Sequence, residues 1–235
     1  MDDNYQKKLY CPHCLSSKVV KNGLKSTGIQ NYLCNKCRKQ FQSDYFYLGC
    51  QKDVKLMILR MLVNGNGVRD ICRVALVSAG CVLRTLLSIG NLITIEPQRK
   101  HYHKVQIDEL YSFVGSKKKK VWIIYAYDAF TGEILGVTAG KRSKKQVRDL
   151  IKRLGDIEVD WWCTDAWKAF AQVLPYDRHL IGKKFTKAIE GVNTALRNSC
   201  KRLHRRTTAF SKKLQNHWNA LKITINNFNN KPSYN

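Results

Sequence analysis

Four cysteines at C-x2-C-x19-C-x2-C spacing, Cys11, Cys14, Cys34 and Cys37, constrain this chain more than any other feature. Each C-x2-C pair closes a tight turn that points two thiolates at one ion, and two such turns make a closed tetrahedral set, the usual structural zinc arrangement. The residues between them, Val19–Leu24 and Ile29–Leu33, read as two short strands around a glycine-containing turn, and Phe41 can cap the small core. So short a segment buries little apolar surface, so the metal supplies much of its folding energy. A redox C-x-x-C needs one pair in a βαβ setting, which this spacing does not offer. The reading is a zinc ribbon over residues 1–48, holding Zn²⁺ on Cys11, Cys14, Cys34 and Cys37. Cys50, Cys72, Cys81, Cys163 and Cys200 show no such pairing.

The chain has 42 Lys+Arg against 17 Asp+Glu, a net charge of +25, within 235 residues. That excess points to a polyanion, with nucleic acid favoured over an anionic membrane. No stretch approaches the ~20 apolar residues of a transmembrane helix, and the polar N-terminus lacks a secretory signal's apolar run. A cytoplasmic protein is expected, with no membrane partner. The basic excess runs along the whole chain, and residues 191–235 carry nine basic and no acidic side chains. Carboxylates near a phosphate-binding surface repel the ligand, and are worth keeping there if they hold a cation.

Residues 49–98 read as a helix-turn-helix domain. Val54, Met57, Ile58, Met61 and Leu62 recur at helical spacing, and Asn64-Gly65-Asn66-Gly67 ends that helix. Val68–Ala75 is a second helix; Ser78 caps a third, with Val82, Leu83, Leu86 and Leu87 as its apolar side and Gly90 as its end. In that arrangement the third helix enters the major groove, where Ser78, Arg84, Thr85 and Ser88 are the DNA-binding candidates. The same pattern also suits a packing or dimerisation bundle. Glu96–Lys100 reads as a linker.

From residue 99 onward the pattern changes to an α/β domain with a mixed sheet. Lys104–Tyr111, Val121–Tyr127 and Glu133–Thr138 read as strands, Ser143–Leu154 as a helix, and Val159–Thr164 as a fourth strand. A short helix with Trp167 and Phe170, a short strand His179–Ile181 and a long helix Thr186–Leu203 follow. That order is ribonuclease-H-like. Asp108, Asp165 and Glu190 can converge as a catalytic triad for Mg²⁺ or Mn²⁺, since hard oxygen ligands hold the ion and leave room for water and phosphate. Glu109, on the opposite face of the first strand, and Asp128, at the end of the second, are the alternatives. Asn193, Arg197 and Lys201 share a helix side with Glu190. Arg197, Lys201, Arg202 and Arg205 are further DNA-binding candidates, and Trp218, Leu221, Ile223 and Ile225 suggest a final helix packed on the core.

The chain resembles the insertion-sequence-one family of bacterial transposases over essentially its whole length. The resemblance rests on the four cysteines, Asp108–Tyr111 with Val114-Gly115, Trp122–Asp128, Thr164–Trp167, Lys187–Glu190 with Asn193, Leu196 and Arg197, and Phe210–Lys212. It implies a zinc ribbon, a helix-turn-helix for the element's terminal inverted repeats and an Asp-Asp-Glu catalytic domain. It carries the catalytic roles to Asp108, Asp165 and Glu190, and DNA contact to Arg197. Gly191-Val192 departs from the family's basic-then-polar pair, and Ala166 stands where glycine is frequent. The implied activity is metal-dependent DNA cleavage and strand transfer on double-stranded DNA, element ends and target, by a homo-oligomer. A repressor without catalysis and a structure-selective nuclease are the alternatives.

Overall fold

Cysteine-bearing turns and strand-forming residues alternate at the N-terminus, and the computed structural model folds them as one small unit. The structure describes residues 9–26, 28–42, 48–204, 206 and 208–230. The chain divides near residue 51 into two compact units. In the first, β1 (Val19–Leu24), β2 (Gln30–Cys34) and β3 (Gln40–Gln42) form an antiparallel sheet in that order. Its core is Cys11, Cys34 and Phe41, with Tyr32 stacked on Phe41 at 5.7 Å.

The second unit begins with α1 (Lys52–Leu62), α2 (Val68–Ala75) and α3 (Ala79–Leu92). Ser78 caps α3, its hydroxyl accepting the Cys81 amide at 3.2 Å. There follow β4 (His101–Phe113), β5 (Lys120–Asp128), β6 (Glu133–Gly140), α4 (Lys144–Leu154), β7 (Glu158–Thr164), α5 (Lys168–Ala171), β8 (His179–Ile181), α6 (Lys187–Ser199) and α7 (Leu214–Asn229). The sheet order is β6-β5-β4-β7-β8, antiparallel across β6, β5 and β4 and parallel from β4 through β7 to β8. This mixed α/β arrangement fits the ribonuclease-H-like expectation. Successive side chains of a strand point to opposite faces. Ile123, Tyr125 and Tyr127 therefore enter one core, and Ile124 and Ala126 the other, beneath α4 and α5.

The first of these cores joins α1, α2 and α3 to the sheet, α6 and α7 without a break, from Ile58 and Leu86 to Ile189 and Leu221. Gly65 in the α1–α2 turn donates its amide to the Ser199 carbonyl at 2.8 Å, and a Cβ there would meet the Asn198 carbonyl oxygen at 2.4 Å. Gly90 does not end α3, as its sequence position suggests; it lies inside the helix, where the Asn219 side chain of α7 fills the place of a Cβ. A Cβ on Gly90 would stand 2.5 Å from Asn219 Cβ and 3.0 Å from its Cα, atoms that cannot swing aside. Gly90→Ala is therefore expected to destabilise the protein by about 1–3 kcal/mol through overpacking, despite alanine's better helix propensity. Gly191→Ala, with no atom within 4 Å of the added methyl, is the control and should melt at or above the parent temperature. Thermal unfolding of both variants checks this. The helix read over Thr186–Leu203 is α6, which stops earlier, at Ser199, and residues 201–203 form a 3-10 turn. No single helix among the described residues is long and apolar enough to cross a membrane.

Candidate active site and metal centres

β4 outruns its parallel neighbour. β7 pairs with β4 only as far as Gln106, so residues beyond it have β5 on one side and an open edge on the other. Asp108 sits just past that point, and Asp165 immediately follows the end of β7. One strand ending where the other continues thus brings the two carboxylates together.

The surrounding residues fix them. Asp108 Oδ1 accepts the Glu109 amide at 2.8 Å, and Oδ2 accepts Asn193 Nδ2 from α6 at 2.7 Å. Asn193 Oδ1 in turn accepts the hydroxyl of the fully buried Tyr125 at 2.9 Å. Gln106 Oε1 accepts the Ile189 amide at 2.9 Å, satisfying a donor in the first turn of α6 and setting its register on β4. Asp165 Oδ1 accepts the Trp167 amide at 3.0 Å.

Carboxylate oxygens of Asp108, Glu109 and Asp165 all lie within 4.8 Å of one another. Burial, followed by the nearby charges of Asp165 and Glu190, pushes the Asp108 carboxyl above its ordinary pKa, against the hydrogen bonds from Glu109 and Asn193. Glu109 is also raised, first by burial, although Arg142 pairs with it. Clustered acids with raised pKa values gain from a cation, and an all-oxygen set suits Mg²⁺ or Mn²⁺.

Glu190 is exposed in the first turn of α6 and outside this close set, although its charge is felt at Asp108. The third carboxylate of the close set is Glu109, an alternative on the other face of β4. Asp128 is buried far from ligand duty: it accepts the Phe130 and Thr131 amides and the Thr131 hydroxyl, closing the β5–β6 turn. Asn193, the residue that holds Asp108, was visible in the sequence as a neighbour of Glu190 on the helix and as part of the family resemblance, without its role.

The DNA-contact candidates separate by exposure. Ser78, Arg84 and Ser88 lie exposed on or beside α3, and Lys201 is exposed. Thr85 is 5% exposed because it follows Val82 by three residues and so faces the core; it cannot reach a base. Arg202 is 8% exposed, with its guanidinium on the Ser211 hydroxyl at 2.6 Å, so it binds its own chain rather than a phosphate. Arg197 is half-buried, and its charge is felt at Tyr125. Arg205 lies outside the described residues.

In the N-terminal unit the four sulfurs fall within 4.8 Å of one another, with Cys11–Cys37 and Cys14–Cys34 each at 3.6 Å. A tetrahedral zinc spaces its sulfurs about 3.8 Å apart, given ~2.3 Å bonds, so the set fits that ion. The Cys37 amide leads in drawing the Cys34 thiol down to about 6. Cys14 is pushed up to about 12: the Ser16 amide pulls it down, but burial and the three other thiols outweigh it.

A sequence model of the IS1 transposase family matches residues 104–234, more than half of the chain. The insertion element iso-IS1n protein InsB of Shigella dysenteriae is 39% identical over 112 residues, 48% of this chain and 86% of that protein. The insertion element IS1 protein InsB of Shigella flexneri is 33% identical over the same shares. The insertion element IS1 2 protein InsB of Escherichia coli (strain K12) is 32% identical over 48% of this chain and 67% of its own length. Among solved structures, a simian T-cell lymphotropic virus intasome in complex with PP2A regulatory subunit B56 gamma gives a TM-score of 0.36 at 14% identity, covering 77% of this chain and 74% of that one, too loose a likeness to bear on the fold. By sequence, the chain belongs to the IS1 transposase family.

Proposed function

We propose that this transposase cuts double-stranded DNA at the ends of its element and joins the freed 3′-hydroxyl to target DNA, using one metal site for both steps. The observation that carries the reading is the carboxylate cluster at the open edge of β4, held by Tyr125 and Asn193 in a chain of net charge +25. A bound Mg²⁺ or Mn²⁺ supplies activation of the attacking oxygen and charge stabilisation at the leaving one. Asp108 and Asp165, whose carboxylates lie close together, are the first two ligands we assign. Glu109 gives its Oε1 to Arg142; we assign Glu190 on α6, whose charge is felt at Asp108, as the third ligand, and Asn193 keeps the Asp108 oxygens aimed at the site.

The remaining assignments support the same activity. The sheet order and its flanking helices support a ribonuclease-H-like catalytic domain, and the four sulfurs a zinc ribbon. Helices α1, α2 and α3 form a helix-turn-helix that recognises terminal inverted repeats through Arg84, Ser88 and Ser78. Lys201 and Arg197 follow the DNA backbone. Two ends must be joined, so the working assembly is a homo-oligomer on DNA.

The test is an assay with labelled terminal-repeat DNA, a target plasmid and Mg²⁺ or Mn²⁺. Cleaved and joined products are expected, with both lost in Glu190→Gln. Binding without cleavage would identify a repressor, and cleavage without joined product a nuclease. Full joining by Glu190→Gln would hand the third ligand to Glu109.

A further inference from the structure

A cavity of about 510 Å³ opens beside the carboxylates, lined by Asp108, Glu109, Tyr111 and Trp122. Its two ends differ in chemistry. One carries the acids; the other carries two aromatic rings, cross-strand partners on β4 and β5 that meet edge-on at 5.4 Å. Both rings are half-buried, and neither belongs to either of the sheet's two cores. Two adjoining rings left half-exposed beside a charged site form an apolar surface open to a ligand. Arg142 braces this wall, with its guanidinium 5.3 Å from the Trp122 ring centre, 4.3 Å from that of Trp167, and bonded to Glu109.

An aromatic wall beside a phosphate-directed metal site suits a flat π-faced group attached to a phosphate. Bases stack on aromatic side chains whatever their sequence, and a neighbouring guanidinium adds attraction. A base inside an intact duplex is already stacked on its neighbours and offers no free face, so the occupant must be unpaired. Resting on the DNA-cleaving reading above, we propose that Tyr111 and Trp122 take up an unpaired base adjoining the phosphate at the carboxylates. The site thereby selects DNA whose end has opened. Tyr111 and Trp122 are positioning residues for the substrate, and Arg142 holds Trp122 in place.

The experiment uses the full chain with Ca²⁺ in place of Mg²⁺, and duplexes carrying the repeat that flanks its own coding sequence. One duplex is fully paired. The other is mismatched at the cut and carries 2-aminopurine at the unpaired position. Wild type should bind the opened duplex about tenfold more tightly, the worth of one base–aromatic stack, and should quench the 2-aminopurine. The double variant Tyr111→Leu, Trp122→Leu should lose both effects, and Trp122→Phe should keep them. Absence of quenching by wild type overturns the proposal, as does an undiminished preference in a folded leucine variant. The wild-type quenching decides the matter even if the leucine variant fails to fold. Binding judges the pocket, whereas a parallel Mg²⁺ reaction judges the catalytic reading, so the two can fail separately.

Discussion

Asp108→Asn is expected to abolish strand cleavage while leaving the metal-free protein at least as stable as the parent. Loss of a ligand that helps hold the ion forfeits several kcal/mol of transition-state stabilisation, a fall of about 10³-fold or more in rate. The stability arm follows from the raised pKa. Burial and the charges of Asp165 and Glu190 lift the folded-state carboxyl of Asp108 above its unfolded value. An acid shifted upward destabilises the fold at pH values above its folded pKa, and that penalty disappears as pH falls through it. Asparagine removes the charge and keeps one oxygen to accept from Asn193 Nδ2; its NH2 cannot accept from the Glu109 amide as Asp108 Oδ1 does, a loss of about 0.5–1.5 kcal/mol that relief of the buried charge offsets. Unfolding at pH 7 without divalent metal should therefore show a melting temperature equal to or above that of wild type. Added Mn²⁺ should raise the wild-type midpoint, by linkage to binding, and leave that of the variant nearly unmoved. A variant that still cuts at more than about a tenth of the parent rate would remove Asp108 from the metal site.

Much of this architecture was legible because it depends on local rules. The central strands are short apolar runs buried on both faces, and β7 is followed directly by an acid, so Asp165 could be placed at a strand end before its neighbours were known. Thr85 was misplaced although the signal was present: Cys81, Val82 and Leu86 put it on the buried side of α3. Other features depend on how distant elements dock. Gly90 reads as a helix stop, yet it is the contact at which α7 crosses α3, and nothing near residue 90 announces Asn219. Arg202 looked like one more cation in a basic tail, but the helix breaks at Cys200 and the following turn buries it against Ser211. Glu109 faces away from Asp108 along the strand. It joins the cluster only because β7 stops short and Arg142 meets it there, a consequence of strand lengths rather than of alternation. Asn193 gained its role from the register of α6 on Gln106, which the helix period alone does not supply.

Chelation of zinc is expected to unfold the N-terminal unit and leave the melting of the larger unit unchanged. Among the described residues the unit's buried core consists of Phe41 and two cysteines, and five of the six residues of β1 are exposed. Apolar burial on that scale cannot offset the ordering of more than thirty residues at about 1–2 kcal/mol each for the backbone. Structural zinc in comparable small modules supplies about 10–16 kcal/mol near neutral pH, enough to decide whether the sheet exists. The larger unit has two extensive cores and none of the four cysteine ligands. Treating the full chain with a strong zinc chelator should therefore expose residues 9–42 to protease and dissolve the Tyr32–Phe41 stack seen by near-ultraviolet dichroism. Cys34→Ser should behave like the chelated protein, since it removes the thiol that ionises most readily of those with a resolved shift, drawn down to about 6. Zinc restored to wild type should restore both signals, and restored to Cys34→Ser it should restore neither. Purified protein that contains no zinc and keeps its protease resistance under chelation would show that the four thiols hold the unit by some other means. The unit would then find its stability in contacts outside the buried core that its described residues form.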